Sequence, residues 1–439
     1  MSAQPAPGAL AAWLMRRYYT AEQGELSIGG VRVSTLADAY GTPLYVFDAA
    51  LMRRRYRELS AAVQGFAEVY YSVKANPNVE VARIFVDEGA GLEVASGREF
   101  LTARAAGCSA ERILFAGPAK GEAELALVVE QGIGEIHLES YEEIALVGAI
   151  ARQRGVRVKA SVRVNPIAAA QGGAMRMGGK PAAFGFDEED LAHVVDAIGQ
   201  EPGIELIGVH LFAGTQILDA NVLLTQWAHG LDVAARLSEM IGAPLHTIDL
   251  GGGLGIPYHD GDASLDLSAV AAGAPALIHA KSAHAGIRDA RVILEPGRFL
   301  VGESGLYLMR VRSVKRSRGQ RFVLADGGMH HHLAASGNLG QVVKRDYPIV
   351  ATARLSDAPE DAATLVGPLC TPLDTLGRKA LLPAMQAGDL VAVLQSGAYG
   401  LTASPHGFLG HPTPAEVLVD GAAHRLIRAA GRMDLSTVG

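Results

Sequence analysis

Eight strand-like runs, separated mostly by Ala- and Leu-rich helical text, constrain this chain more than any other feature. They read EVYYSVKAN (68–76), GLEVAS (91–96), RILFAG (112–117), EIHLES (135–140), VKASVRVNP (158–166), IELIGVHLFAG (204–214), LHTIDLGGG (245–253) and RVILEPG (291–297). A strand, a crossover helix and a parallel strand, repeated eight times, fit a closed (β/α)8 TIM barrel better than an open doubly wound sheet. None of the runs opens into the G-x-G-x-x-G turn that a dinucleotide site needs.

The text changes after Gly297. GLYLMRVRSVKRS, QRFVLADGG, ATLVGPLC, DLVAVLQSGAYG and AEVLVDGAAHRLIRAA are strand-rich with Gly and Asp turns. The expected division is an N-terminal segment (1–46) that joins a β domain, an α/β barrel (47–298) and a C-terminal β domain (299–439). Asp48 is the expected N-cap of a helix carrying Leu51, Tyr56, Leu59 and Val63. The Gly-rich stretch from Ala168 to Gly185 follows the fifth strand, where an active-site loop belongs. Leu10, Trp13, Leu14 and Tyr18 give a short N-terminal helix an apolar face, expected to pack within the protein. With a formal charge of -7 and 19% charged residues, the chain is a poor nucleic-acid binder by charge. No run of 18 apolar residues and no secretory pattern is present, so the expected location is cytoplasmic. Two cysteines make no disulfide framework.

Catalytic groups of such a barrel gather at the C-terminal ends of its strands. The first run ends in Lys74, and the second carries Glu93 and Ser96. The fifth carries Arg163 and Asn165, the sixth His210, Phe212, Gly214 and Thr215. The seventh supplies Asp249 and Gly251-Gly252-Gly253, the eighth Glu295, Gly297 and Arg298. A lysine embedded in a barrel strand is expected to be desolvated and able to bond covalently to a carbonyl group. Glycine amides and Arg298 suit a phosphate, and Glu295 suits a ring nitrogen that must stay protonated. That combination is what pyridoxal 5'-phosphate requires.

YSVKANPN (71–78), HLFAGTQ (210–216), DLGGGLGIPY (249–258), EPGRFLV (295–301), GPLCTPLD (367–374) and GAYG (397–400) together resemble the alanine-racemase-fold (type III) pyridoxal-phosphate decarboxylases. That group includes the ornithine, arginine and diaminopimelate decarboxylases. The resemblance implies Lys74 as the residue that carries the cofactor and Glu295 at its pyridine nitrogen. It puts the phosphate among Gly251, Gly252, Gly253, Gly297, Arg298, Thr215 and Tyr399, and Glu93 near the phenolic oxygen. It also implies a homodimer with shared active sites, in which Cys370 reaches across the interface to protonate the substrate carbon. Cys108, in AAGCSAE, reads as an inert thiol near the surface.

Two departures bear on the substrate. Where the family stacks a histidine on the cofactor, this chain offers Phe212, with His210 expected to point the other way. Where diaminopimelate decarboxylases carry a glutamate after the cysteine, Thr371 stands. Their distal-carboxylate arginine and tyrosine are also missing from DGGMHHHLAASGN (326–338), leaving Arg345 and Tyr347 further on as substrate candidates beside Asp374. A site built for two distal ionic groups strongly rejects ligands that lack them, so the converse loss argues against meso-diaminopimelate. What remains resembles decarboxylases of butirosin-type pathways, which act on an aminoacyl group held by a carrier protein, and exosortase-associated relatives. Diaminopimelate decarboxylase is the alternative reading, and an amino-acid racemase of the same fold a further one, against which Glu295 and Cys370 argue. His330-His331-His332 is expected to hold no metal, because adjacent strand residues alternate faces.

Overall fold

The computed structural model describes residues 8–167, 175–176, 181–212, 214–341 and 343–431, so most of the Gly-rich stretch 168–185 lies outside the described residues. The chain divides into two compact units: 55–256 with 264–299, and 8–54 with 257–263 and 300–431.

The first unit is a barrel. Its strands are β1 (Glu68–Ser72), β2 (Gly91–Val94), β3 (Ile113–Phe115), β4 (Glu135–Leu138), β5 (Val158–Asn165), β6 (Ile204–Leu211), β7 (Thr247–Asp249) and β8 (Arg291–Leu294). Each pairs in parallel with the next, and β8 returns to β1 through Ile293 and Leu294 against Glu68 and Val69, which closes the ring. Local chemistry explains why the helices start where they do. Asn78, Ser96, Ser140, Asp219 and Asp266 each accept a hydrogen bond from a backbone N–H in the first turn of the following helix, satisfying donors the helix itself cannot pair. Asp48 does the same for Leu51 at the start of the helix Ala49–Ala62.

Inside the ring the filling is divided by chemistry. Tyr70, Leu114 and Ile293 form a fully buried apolar cluster. Glu135, His137, Ser161, His210 and Asp249 are also inside, each at most 2% exposed. Barrel interiors are ordinarily packed with branched aliphatic side chains, so this polar half needs another explanation.

The second unit is β-rich. The strand Leu44–Asp48 lies antiparallel to Gly305–Ser317 and parallel to Ala415–Asp420, and it is this strand that ties the N-terminal segment to the C-terminal sheet. The LSIGG hairpin contributes instead to a small sheet of its own, Thr20–Glu22, Glu25–Ile28 and Val31–Arg32. The helix Ala9–Tyr18 buries Leu10 and Leu14 in this unit's core, with Trp13 and Tyr18 packed at its edge. Residues 257–263 belong here rather than with the barrel residues flanking them. Tyr258 packs on Tyr347 at 4.6 Å, His259 Nδ1 lies 3.1 Å from the Asp346 carbonyl, and Gln395 donates to the Pro257 carbonyl.

Gly91 is required by the apolar half of the barrel, because a Cβ there would lie 2.1 Å from the Tyr70 ring. Gly91→Ala should therefore cost about 1–3 kcal/mol of stability, read as a fall in urea midpoint. Adding Tyr70→Leu should recover part of that loss, since the two positions share one volume.

Candidate active site

Lys74 sits on the one-turn helix Val73–Ala75 that follows β1, not within the strand, and its side chain is 45% exposed rather than buried. The strand ends at Ser72 because the backbone turns over the barrel rim there. The Lys74 ammonium donates to Glu93 Oε2 at 2.9 Å and Oε1 at 3.1 Å. Glu93 also accepts from the Ser72 hydroxyl and is 1% exposed, so a buried carboxylate on β2 anchors an exposed amine.

Next to it Arg163, on β5, donates to Glu139 at 2.8 Å, and the Gly117 N–H donates to the same oxygen. Burial alone would lift the Glu139 carboxyl, but Arg163 and Lys120 outweigh it and hold the group below its usual range. Lys120 donates to the carbonyls of Gly117 and His137 and pairs with Glu143. For that buried pair, desolvation drags the lysine down and the carboxyl up, with their mutual attraction opposing both shifts.

Glu295 follows β8 directly. It is 5% exposed, and apart from the neighbouring Asp249 carboxyl its Oε1 has no hydrogen-bond partner among the described residues. His210 Nε2 lies 3.4 Å from Glu295 Oε2. His210 faces the barrel interior, and the expectation that it points away is corrected. Residues two apart share a strand face, and β6 ends at Leu211, so it is Phe212 that leaves the register. The Phe212 ring edge approaches Gly251, where an added Cβ would sit 3.2 Å from it.

The glycine run is held by backbone contacts. Gly251 has φ +67°, and a Cβ at Gly252 would lie 2.5 Å from the Glu295 carbonyl. The N–H groups of Gly252, Gly253 and Gly297 have no hydrogen-bond partner among the described residues. Thr215 lies on the two-residue strand Gly214–Thr215, paired with the backbone of Met175–Arg176. Arg298 opens the one-turn helix Arg298–Val301.

The β unit holds the remaining candidates. Cys370 is exposed. Thr371 caps its own turn, its hydroxyl 3.3 Å from the Leu373 N–H. Asp374 is placed as an anchor beside Cys370: it is 2% exposed, and its two oxygens accept from the Met329 and Leu369 N–H groups at 2.6 and 2.8 Å. Tyr347, 5% exposed, packs among Tyr258, His259 and His332, which makes it core material. Arg345 is 57% exposed and lies 3.5 Å from Asp262. Tyr399 sits at φ +52°, a left-handed conformation that costs a non-glycine residue about 1 kcal/mol or more. Cys108 is buried rather than superficial, and desolvation pushes its thiol up to about 11.

The histidine triplet lies in turns, not in a strand. His331 Nδ1 meets the Tyr307 hydroxyl and Nε2 the Pro412 carbonyl, both at 3.0 Å. His332 Nε2 meets the Ser396 hydroxyl at 3.0 Å, and the His330 ring lies tilted at 41° against His331 with 3.7 Å between centroids. Four donors do cluster elsewhere: His137, His210, Asp249 and Glu295 bring ligand-type atoms within 4.8 Å of one another. His137 was not singled out from the sequence. The alternation Glu135, His137, Glu139 was the available signal, since period two puts all three on one side of β4.

The pattern described as "Pyridoxal-dependent decarboxylase, pyridoxal binding domain" matches residues 49–302. The chain belongs to that family. It is 36% identical over 93% of its length to the decarboxylase of L-glutamyl-BtrI acyl-carrier protein from Niallia circulans, covering 96% of that protein. It is 33% identical over 91% to the diaminopimelate decarboxylase of Methanothermobacter thermautotrophicus, covering 91% of it. Among solved structures, diaminopimelate decarboxylase from M. jannaschii in complex with L-lysine superposes with a TM-score of 0.87 at 25% identity, covering 95% of this chain and 96% of that one. The barrel and the β-rich unit are thus the two parts of an alanine-racemase-like fold. The residues present fit a pyridoxal-dependent decarboxylase: a buried carboxylate oxygen met only by a second acid, free strand-end amides and an exposed rim amine. No helix among the described residues is long and apolar enough to cross a membrane.

Burial holds the His331 and His332 rings down to about 3 and His330 to about 4, neighbouring imidazoles adding to the effect for His330 and His331. These folded values lie below the unfolded one, so stability is full above pH 6.5 and lost as the pH falls, because the unfolded chain then binds protons that the fold refuses. The loss should approach about 1.4 kcal/mol per pH unit per histidine between pH 6 and 4. Urea midpoints measured across that range should show a shallower slope in His332→Gln, by about one proton.

Proposed function

We propose that this decarboxylase removes the α-carboxylate of an aminoacyl group presented on a carrier protein, and that it works as a homodimer in the cytoplasm. The observation that carries the substrate reading is the turn after Cys370. Thr371, uncharged and bonded to its own turn, stands where a distal amino group would need an acid, and Asp374 and Tyr347 are committed to the protein interior. The likeness to the Niallia circulans enzyme supports the same reading.

Pyridoxal phosphate, when bound, supplies a sink for the electron pair left behind by carbon dioxide. Lys74 would hold its aldehyde carbon. Gly252, Gly253 and Gly297, with Arg298 and Thr215, would hold its phosphate, while the Gly251 N–H is taken by Asp249. Glu295 would face its ring nitrogen, Phe212 would cover one face by stacking, and Glu93 would lie near its phenolic oxygen. Glu93 keeps the Lys74 ammonium at the rim and so determines where that proton rests before the amine reacts. Cys370 is proposed to serve the site of a second copy of the chain, returning a proton to the substrate carbon. Phe212 can stack but cannot hydrogen-bond, so the proton chemistry falls to Lys74, Glu93 and Cys370.

A carbon dioxide release assay should show turnover of carrier-loaded glutamate and little or none of free meso-diaminopimelate. Robust turnover of meso-diaminopimelate would overturn the substrate reading while leaving the chemistry intact. Lys74→Ala should reduce release to background. Glu295→Gln should lower kcat roughly 100-fold with the cofactor retained, and an unchanged rate would remove Glu295 from the reaction.

A further inference from the structure

The polar half of the barrel interior contains more ionisable chemistry than holding a cofactor requires. His137 on β4 and His210 on β6 stack at 4.2 Å with an interplanar angle of 28°. His137 Nε2 lies 3.5 Å from Glu135 Oε1 on its own strand and 3.7 Å from Asp249 Oδ2 on β7. His210 Nε2 lies 3.4 Å from Glu295 Oε2 beyond β8. Apart from the contact between the Asp249 and Glu295 carboxyls, both nitrogens of both imidazoles, Asp249 Oδ2, Glu135 Oε2 and Glu295 Oε1 are buried without a short hydrogen bond among the described residues. Leaving a buried polar atom unpaired costs on the order of 1–3 kcal/mol, and no aliphatic replacement would carry that cost.

The other charged groups facing this cluster are Arg163 from β5, itself paired with Glu139, and Glu93 from β2. Burial, reinforced by His137 and Arg163, keeps His210 well below the usual histidine range. Burial and the Glu295 carboxylate push Asp249 well above the usual carboxylate range. Glu135 also lines a cavity of about 490 Å³ at the opposite, strand-start end of the barrel, bordered by Arg157, Lys159, His246 and Arg291. Ionisable side chains therefore run from that cavity through Glu135, His137 and Asp249 to His210 and Glu295.

We propose that His137 and His210 are positioning residues for Glu295, and that with Glu135 and Asp249 they form a buried proton reserve which lets Glu295 keep its charge beneath the ring nitrogen. In the exchange, the Asp249 Oδ2–H bond breaks, its hydrogen bond to Glu295 is given up, and a His137 Nε2–H bond forms across the 3.7 Å between them, so one proton and one unit of charge move within the cluster. The inference rests on the proposed role of Glu295.

The test uses the holoenzyme and follows the pH titration of the cofactor's visible band, with cofactor affinity as a second readout. His137→Leu should displace the titration midpoint by about one pH unit and weaken cofactor retention about tenfold. His137→Gln, which keeps a hydrogen-bonding end, should restore most of both. Glu135→Gln, nearly identical in shape to the parent residue, should move the midpoint as well and decides the matter if His137→Leu does not fold. Midpoints unchanged in the folded variants, with the cofactor bound as in the parent, would overturn the inference and leave the decarboxylase reading standing. A parent protein that takes up no cofactor would overturn the role of Glu295, and this inference with it.

Discussion

A carboxylate that follows the last strand of a parallel barrel, buried beside an imidazole and a second acid, is the constraint around which the rest is arranged. Glu295 emerges from β8 into a buried setting with one oxygen met only by the Asp249 carboxyl. Desolvating a carboxylate is costly unless something answers its charge. Two imidazoles and a second acid beside it, and the glycine turns that let β7 and β8 approach so closely, read as responses to that one problem.

The arrangement separates two tasks in space. On the proposed reading, groups above the strand ends handle substrate and cofactor atoms, while groups inside the ring touch neither and adjust the field in which the upper groups work. In a low-dielectric interior such adjustment is strong, because nearby charges are poorly screened. This explains why the barrel gives up aliphatic packing on one side while keeping Tyr70, Leu114 and Ile293 on the other.

Much of this was legible in the sequence, for identifiable reasons. The eight runs declared the barrel because each alternates with helical text at a regular interval, and all eight are strands in the fold. The rim residues were readable because barrel chemistry sits at predictable strand ends. Other features were hidden. The exposure of Lys74 depends on β1 ending at Ser72, two residues before the apolar text does. The inward face of His210 was misjudged where a strand boundary falls between it and Phe212. The two backbone amides that claim Asp374 come from Met329 and Leu369, and nothing in the local text marks the first of them. His137 stood in plain view, but its meaning comes from β6 and β7, which lie far off in sequence.

Residues 257–263 leave the barrel's run of sequence to join the β-rich unit, and the chain therefore passes between the two units four times. Neither half can be excised as one continuous stretch, and a simple fusion or deletion at one junction would cut through the other half. Shuffling of these parts, by evolution or by an engineer, must respect the whole chain as its smallest transferable piece.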